Sequence, residues 1–158
     1  MESVREAMSA DGERILELAQ EFRSEMAARR GAALTRTEDA GVADPIRALQ
    51  DVATLLADPE RTALLGCFDE WTVGLAVLRV ADGAAGERRG IIEVCYVEQG
   101  ARGVGLGHLL LDHALVWFGE HRCAGVDGTA HPGDREAKSF FESAGFKARL
   151  LVMYRPLG

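Results

Sequence analysis

The sequence predicts a mixed α/β domain, and three observations carry that prediction. Helical and extended patterns alternate along the chain, a central block is rich in β-forming runs, and a glycine-dense turn joins an extended run to an apolar helical one.

Taken in order, residues 4–7 read as a short extended piece leading to Ser9 and Asp11, both good helix N-caps. Ile15, Leu18, Ala19, Phe22 and Met26 then recur at helical spacing, with Glu13, Arg14, Glu17 and Glu21 elsewhere on the cylinder, so the first helix is amphipathic. Residues 29–41 break the pattern and read as a loop. Asp44-Pro45 restarts a helix with a cap and a proline at the first helical position. Its expected buried stripe is Ile46, Leu49, Val52, Ala53 and Leu56, and Asp58-Pro59 ends it.

Residues 62–68 and 71–80 are β-rich runs separated by Asp69-Glu70, the pattern of an antiparallel hairpin. Trp71 is expected to pack in or beside the sheet. A Gly- and Ala-rich connection, residues 82–88, precedes a third clear strand at 91–97. Residues 106–120 form a helix that is apolar around most of its circumference, which predicts burial against a sheet. A strand at 125–130, a helix at 134–143 and a final strand at 146–155 complete one domain over 1–158. The order β-αα-βββ-α-β-α-β, about six strands and four helices, implies a mixed sheet with helices on both faces.

Composition narrows the function classes. Apolar residues make up 47% and charged residues 27% of the chain, ordinary for a soluble globular protein. The formal net charge of −7 argues against nucleic-acid and anionic-membrane partners, which reward clustered Lys and Arg. Cys67, Cys95 and Cys123 are odd in number and form no CxxC and no His/Cys pair at metal spacing. They read as small core residues in a reducing cytosol, with no metal site implied. The first residues lack the apolar core of a signal peptide, and no apolar run approaches the roughly 18 residues a membrane span needs. The expected location is therefore cytoplasmic.

The strongest local feature is Arg102-Gly103-Val104-Gly105-Leu106-Gly107 between a strand and a helix. Glycines let the backbone turn sharply, and the helix start offers unpaired N–H groups at its positive end, which together suit a phosphate. A tight turn that uses glycine only for geometry is the plainer alternative. A P-loop is excluded because the turn runs into Gly107-His108-Leu109 and not Gly-Lys-Ser/Thr. A dinucleotide fingerprint lacks its third glycine, the place being taken by His108 or Leu110, although Asp127 stands where a ribose-binding acid would.

Tyr96-Val97 followed by Arg102, Gly105 and Gly107 resembles the pyrophosphate loop, Arg/Gln-x-x-Gly-x-Gly/Ala, of GNAT N-acetyltransferases. The run from Asp134 through Ala137, Phe140 and Phe141 to Gly145-Phe146 resembles the family's fourth-helix signature, and the first strand and capped helix also fit. The resemblance spans essentially the whole chain. It implies a mostly antiparallel central sheet and an enzyme that moves an acetyl group from acetyl-CoA to a primary amine of a small molecule, peptide or protein. A non-catalytic acyl-CoA-binding module is the alternative. Dimers are common in the family, but no motif here specifies an interface.

The resemblance also implies site residues. Backbone groups of Cys95 and Val97, flanking Tyr96, would bond the pantetheine amides. The N–H groups from Arg102 through Gly103, Val104, Gly105, Leu106 and Gly107 would hold the pyrophosphate, with Arg102 adding a cation. Ala137 and Phe140 would line the other side, and Asp134, where Asn is common, would cap its helix without offering an amide donor.

A lysine-like amine is neutral only about once in a thousand molecules near pH 7, a penalty of roughly 4 kcal/mol, so a base or a desolvating pocket is needed. Glu93, a charged residue inside an apolar strand, is the candidate general base. A solvent-facing or ion-paired strand residue is its plainer reading. Phe141 stands where many relatives carry a proton-donating Tyr, leaving Tyr96, Tyr154, Ser139, His131 or water for that role. His113 is expected to be hydrogen-bonded and partly buried, His108 and His121 exposed near helix ends, and His131 on the active-site side. The acceptor would be selected by residues 22–46, where Arg29, Arg30 and Arg36 read as a solvated cluster, and by the late strands.

Overall fold

In the computed structural model, described for residues 1–28, 45–131 and 133–158, five strands form one sheet in the order β1-β2-β3-β4-β5. They are β1 (Glu2–Glu6), β2 (Arg61–Phe68), β3 (Trp71–Asp82), β4 (Arg88–Val97) and β5 (Gly125–Gly128). All neighbours are antiparallel except β4 and β5, which run parallel. The helices are α1 (Gly12–Ala28), α2 (Pro45–Ala48), α3 (Val52–Ala57), α4 (Leu106–Glu120) and α5 (Arg135–Ser143). A 3-10 turn at Leu49–Asp51 joins α2 and α3 into one helical stretch, so the helices fall into the four expected segments. The expected loop at 29–41, the Asp44 cap and Arg29, Arg30 and Arg36 lie outside the described residues.

The sheet separates two apolar layers. On one face Ile15, Leu18 and Ala19 of α1 meet Leu49, Val52 and Leu55 over Ala63, Leu65, Leu75, Val77, Val94 and Tyr96. On the other, Leu106, Leu110, Leu111, Ala114 and Phe118 of α4 cover Leu64, Ala76, Leu78, Ile92 and Val97. The α4 backbone comes close because β4 carries Gly90: a Cβ there would stand 2.5 Å from the Phe118 ring. Burial on the sheet explains why α4 is apolar around so much of its circumference.

Several expectations are corrected. The second helical stripe is Ile46, Leu49, Val52 and Leu55, with Leu56 partly buried against it as expected and Ala53 exposed, because the 3-10 turn advances the buried face by threes. Neither proposed cap holds that place: Met8 is the N-cap, and Asp11, three residues on, closes a capping box by accepting from the Met8 N–H at 2.8 Å while also accepting from both terminal nitrogens of Arg5 at 2.8 Å. Trp71 is 71% exposed, since it opens β3 at the hairpin tip beyond the reach of either helical layer. His113 is exposed on α4, its Nδ1 2.9 Å from the Leu109 carbonyl.

The sixth strand is absent: residues 147–158 are neither helix nor strand, and Leu150, Leu151, Val152 and Met153 are exposed. A strand needs a ladder partner of similar length, and β5 offers only four residues. Arg149 meets β5 through its side chain instead, a bidentate fork on Asp127 at 2.8 and 2.7 Å.

Candidate active site

The site begins where β4 outruns β5. Their parallel ladder covers only Arg89–Ile92 against Gly125–Gly128, so beyond Ile92 the β4 backbone has no paired neighbour on that side among the described residues. The β3–β4 register jumps from Leu78↔Ile92 to Val77↔Val94, leaving Glu93 as the extra residue of a β-bulge. Bulges bend a strand and increase its twist, which opens the gap between β4 and β5. Cys95, Tyr96 and Val97 follow at the open end, Tyr96 facing α1 and Cys95 and Val97 facing α4.

A 3-10 turn at Gln99–Ala101 and the glycine turn then carry the chain into α4. Gly103 and Gly105 adopt φ of 89° and 86°, conformations that strain any side chain, and open space surrounds both. The first α4 bond runs from the Leu109 N–H to the Gly105 carbonyl at 3.0 Å, so the N–H groups of Leu106, Gly107 and His108 have no partner within the helix. Val104 is 45% exposed between the two glycines. Donors, dipole and empty space make a cradle that fits a pyrophosphate.

The α5 signature closes on the same turn. Phe140 packs against His108 with ring centroids 4.9 Å apart, and its ring would touch a Cβ at Gly107 at 3.4 Å. Asp134 is buried and caps α5, accepting from the Ala137 N–H at 3.1 Å. Phe141 packs against Phe140 and Phe146, with its ring over Gly128 at the end of β5.

On the α1 side lies an open cavity of about 730 Å³ lined by Glu17, Gln20, Glu21, Ser24, Glu25, Tyr96 and Gln99. The Tyr96 hydroxyl donates to Glu21 Oε2 at 3.3 Å. Burial, helped by the charges of Glu21 and Glu25, pushes the Tyr96 phenol up to about 12, so it stays protonated across the neutral range. Burial alone pushes the Cys95 thiol up to about 12, which leaves it an inert packing group.

Arg102 points away from the glycine turn. Its Nε donates to the Val97 carbonyl at 2.9 Å, its two terminal nitrogens grip Glu25 at 2.8 and 2.7 Å, and its guanidinium sits 5.5 Å over the Tyr96 ring. Arg14 makes a second clamp nearby, bonding the Thr72 carbonyl and Glu98 at 2.5 Å.

Glu93 is not among the cavity-lining residues. Its Oε1 lies 2.8 Å from Arg79 Nε in an ion pair and accepts from Arg61 at 3.3 Å, while Oε2 has only a 3.4 Å contact with Arg61. His121 is half-buried, stacked on Trp117 at 3.8 Å and held by the Trp117 and Pro59 carbonyls, away from the turn. Tyr154 is exposed on the unpaired tail, Ser139 is exposed on α5, and His131 is half-buried after β5.

Sequence reasoning missed the acidic cavity and the attachment of Arg102 to α1. The signal was present as Glu17, Glu21 and Glu25 at four-residue spacing, one face of a helix. The sequence could not say which part of the sheet that face would meet.

A strand that outruns its parallel neighbour thus ends at a glycine turn whose helix N–H groups have no partner within the helix, with a carboxylate-lined cavity beside it. The sequence model of the acetyltransferase (GNAT) family matches residues 15–146, and the chain belongs to that family. The aminoglycoside N(6')-acetyltransferase type 1 of Stenotrophomonas maltophilia is 28% identical over 111 residues, 67% of this chain and 72% of that protein. Two solved structures share the fold. AAC(6')-Iy, in complex with the bisubstrate analog CoA-S-monomethyl-acetylneamine, superposes with a TM-score of 0.73 at 13% identity, over 100% of this chain and 99% of that one. A predicted acetyltransferase of Clostridium acetobutylicum, solved with acetyl-CoA, gives 0.73 at 15% identity, over 99% and 96%.

Proposed function

We propose that this protein transfers an acetyl group from acetyl-CoA to a primary amine of a small cationic molecule. The observation that carries the acceptor class is the cavity beside Tyr96, where the Glu21 carboxylate faces the opening and those of Glu17 and Glu25, paired with Arg14 and Arg102, stand beside it. Carboxylates gathered at an opening favour a ligand carrying more than one ammonium group. The Stenotrophomonas maltophilia relative, named for aminoglycoside N-acetylation, supports the same reading, since aminoglycosides are small polyamines.

The N–H groups from Arg102 to Gly107 hold the pyrophosphate, Cys95 and Val97 bond the pantetheine arm through their backbones, and Ala137 and Phe140 line its far side. Acetyl-CoA supplies a thioester activated for attack by an amine. Glu21 orients the ammonium form of the acceptor. Glu93, through its less engaged Oε2 and a relaying water, takes the proton that makes the amine nucleophilic. The Tyr96 hydroxyl, protonated across the neutral range, would give its proton to the coenzyme A thiolate released as the C–S bond breaks, in place of the tyrosine that many relatives carry where this chain has Phe141. A cytoplasmic protein is compatible with this reading. A homodimer is compatible with this reading and not required by it.

The test is thiol release from acetyl-CoA with a panel of amines. Neamine and spermidine should give amine-dependent release that weakens as salt rises, and an amino acid of net negative charge should give none. Release with the anionic amine alone would sink the cationic-acceptor reading. Acetyl-CoA binding without release for any amine would favour the non-catalytic acyl-CoA-binding module.

A further inference from the structure

We infer that Arg102 is a positioning residue: its side chain latches the cofactor turn to α1 and takes no part in holding the pyrophosphate. The inference rests on the acetyl-CoA reading of the glycine turn and concerns what holds that turn in place.

Four close contacts hold the guanidinium, and the charge of Glu136 on α5 acts on it as well. Two are the forked bonds to Glu25, the third is the Nε bond to the Val97 carbonyl, and the fourth is the face of the Tyr96 ring. Tyr96 belongs to the apolar layer under α1, whereas Leu106, the first residue of α4, belongs to the layer on the opposite face of the sheet. The guanidinium is thus drawn to the α1 side while the free N–H groups of the turn start the helix on the other.

An arginine fork on a carboxylate fixes direction as well as distance, which a lysine point charge cannot reproduce. The Arg102 and Glu25 side chains are 34% and 29% exposed, so the pair is neither stripped of water nor fully screened. Glu25 also lines the acidic cavity, and Arg102 opens the cofactor turn. The latch therefore spans the two halves of the site, and the turn presents its N–H groups correctly only while α1 holds it.

Calorimetric titration with acetyl-CoA on Arg102→Lys, Glu25→Gln and the exchanged pair Arg102→Glu/Glu25→Arg separates the two roles. A latch predicts that Arg102→Lys and Glu25→Gln each weaken binding by on the order of tenfold, the scale of one charge-assisted bond. It also predicts that the exchanged pair recovers most of that loss. A phosphate ligand would tolerate lysine, would bind as well or better when Glu25 lets go, and would lose binding in the exchanged pair; that pattern overturns the inference. Unfolding by urea runs in parallel, and lowered stability with unchanged acetyl-CoA affinity would also overturn it, leaving the pair merely structural. No binding by the wild-type chain would be a different failure, that of the cofactor reading itself.

Discussion

Glu93 shows how much a single side chain's surroundings matter. It is the bulge residue of β4, its side chain is only 10% exposed, and Arg79 of β3 and Arg61 of β2 engage it. A base so placed works through its freer oxygen, and Glu93→Gln should lower the transfer rate by roughly 10²–10⁴ while leaving acetyl-CoA affinity within about twofold. An unchanged rate would assign the residue to the ion-pair cluster alone. Asp11 makes a different residue-scale prediction. The bond from Arg5 holds its carboxyl below the usual carboxylate range, assisted by the Met8 N–H and opposed by partial burial. A depressed folded-state value contributes stability above the unfolded value of about 3.9 and loses it as pH falls through the lower folded one. Asp11→Asn should therefore cost ~1 kcal/mol at pH 7, and the gap between variant and wild-type melting curves should close below about pH 4. A gap that persists at pH 2 would contradict this account of the cap.

At the scale of elements, α4 links the fold to the site, since the helix that begins at the cradle is the one buried on the sheet. Gly90 permits that approach, and Gly90→Val should cost about 1–3 kcal/mol in urea denaturation as Phe118 and α4 are pushed outward. No loss would mean α4 tolerates the shift. This element was legible in the sequence because apolar residues on most of a helix admit only burial, and its boundaries came out as expected, Leu106–Glu120. The hairpin around Asp69-Glu70 was legible for a similar reason, two β-rich apolar runs bounded by turn residues. The tail after Phe146 misled, because apolar β-forming residues specify a strand only where a partner edge is long enough, and that length is a property of β5. The bulge at Glu93 was invisible, since a one-residue register change depends on both strands together. In the site, the glycine cradle was legible from conformational needs local to the turn. The acidic cavity was not, because it arises where α1 lands beside the end of β4.

Over the whole molecule, the net charge of −7 acquires a location: part of it stands at the mouth of the cavity beside the cofactor turn. The sheet divides the labour, with α4 and the cradle on one face, α1 and its carboxylates on the other, and the gap between β4 and β5 as the passage between them. The central claim is that the cradle receives acetyl-CoA, and thermal unfolding tests it most directly. Acetyl-CoA at about 100 times its dissociation constant adds roughly 2.7 kcal/mol and should raise the midpoint of a domain this size by roughly 5–11 °C. NAD at the same concentration should leave the midpoint unchanged. No shift with millimolar acetyl-CoA, or an equal shift with NAD, would contradict the account.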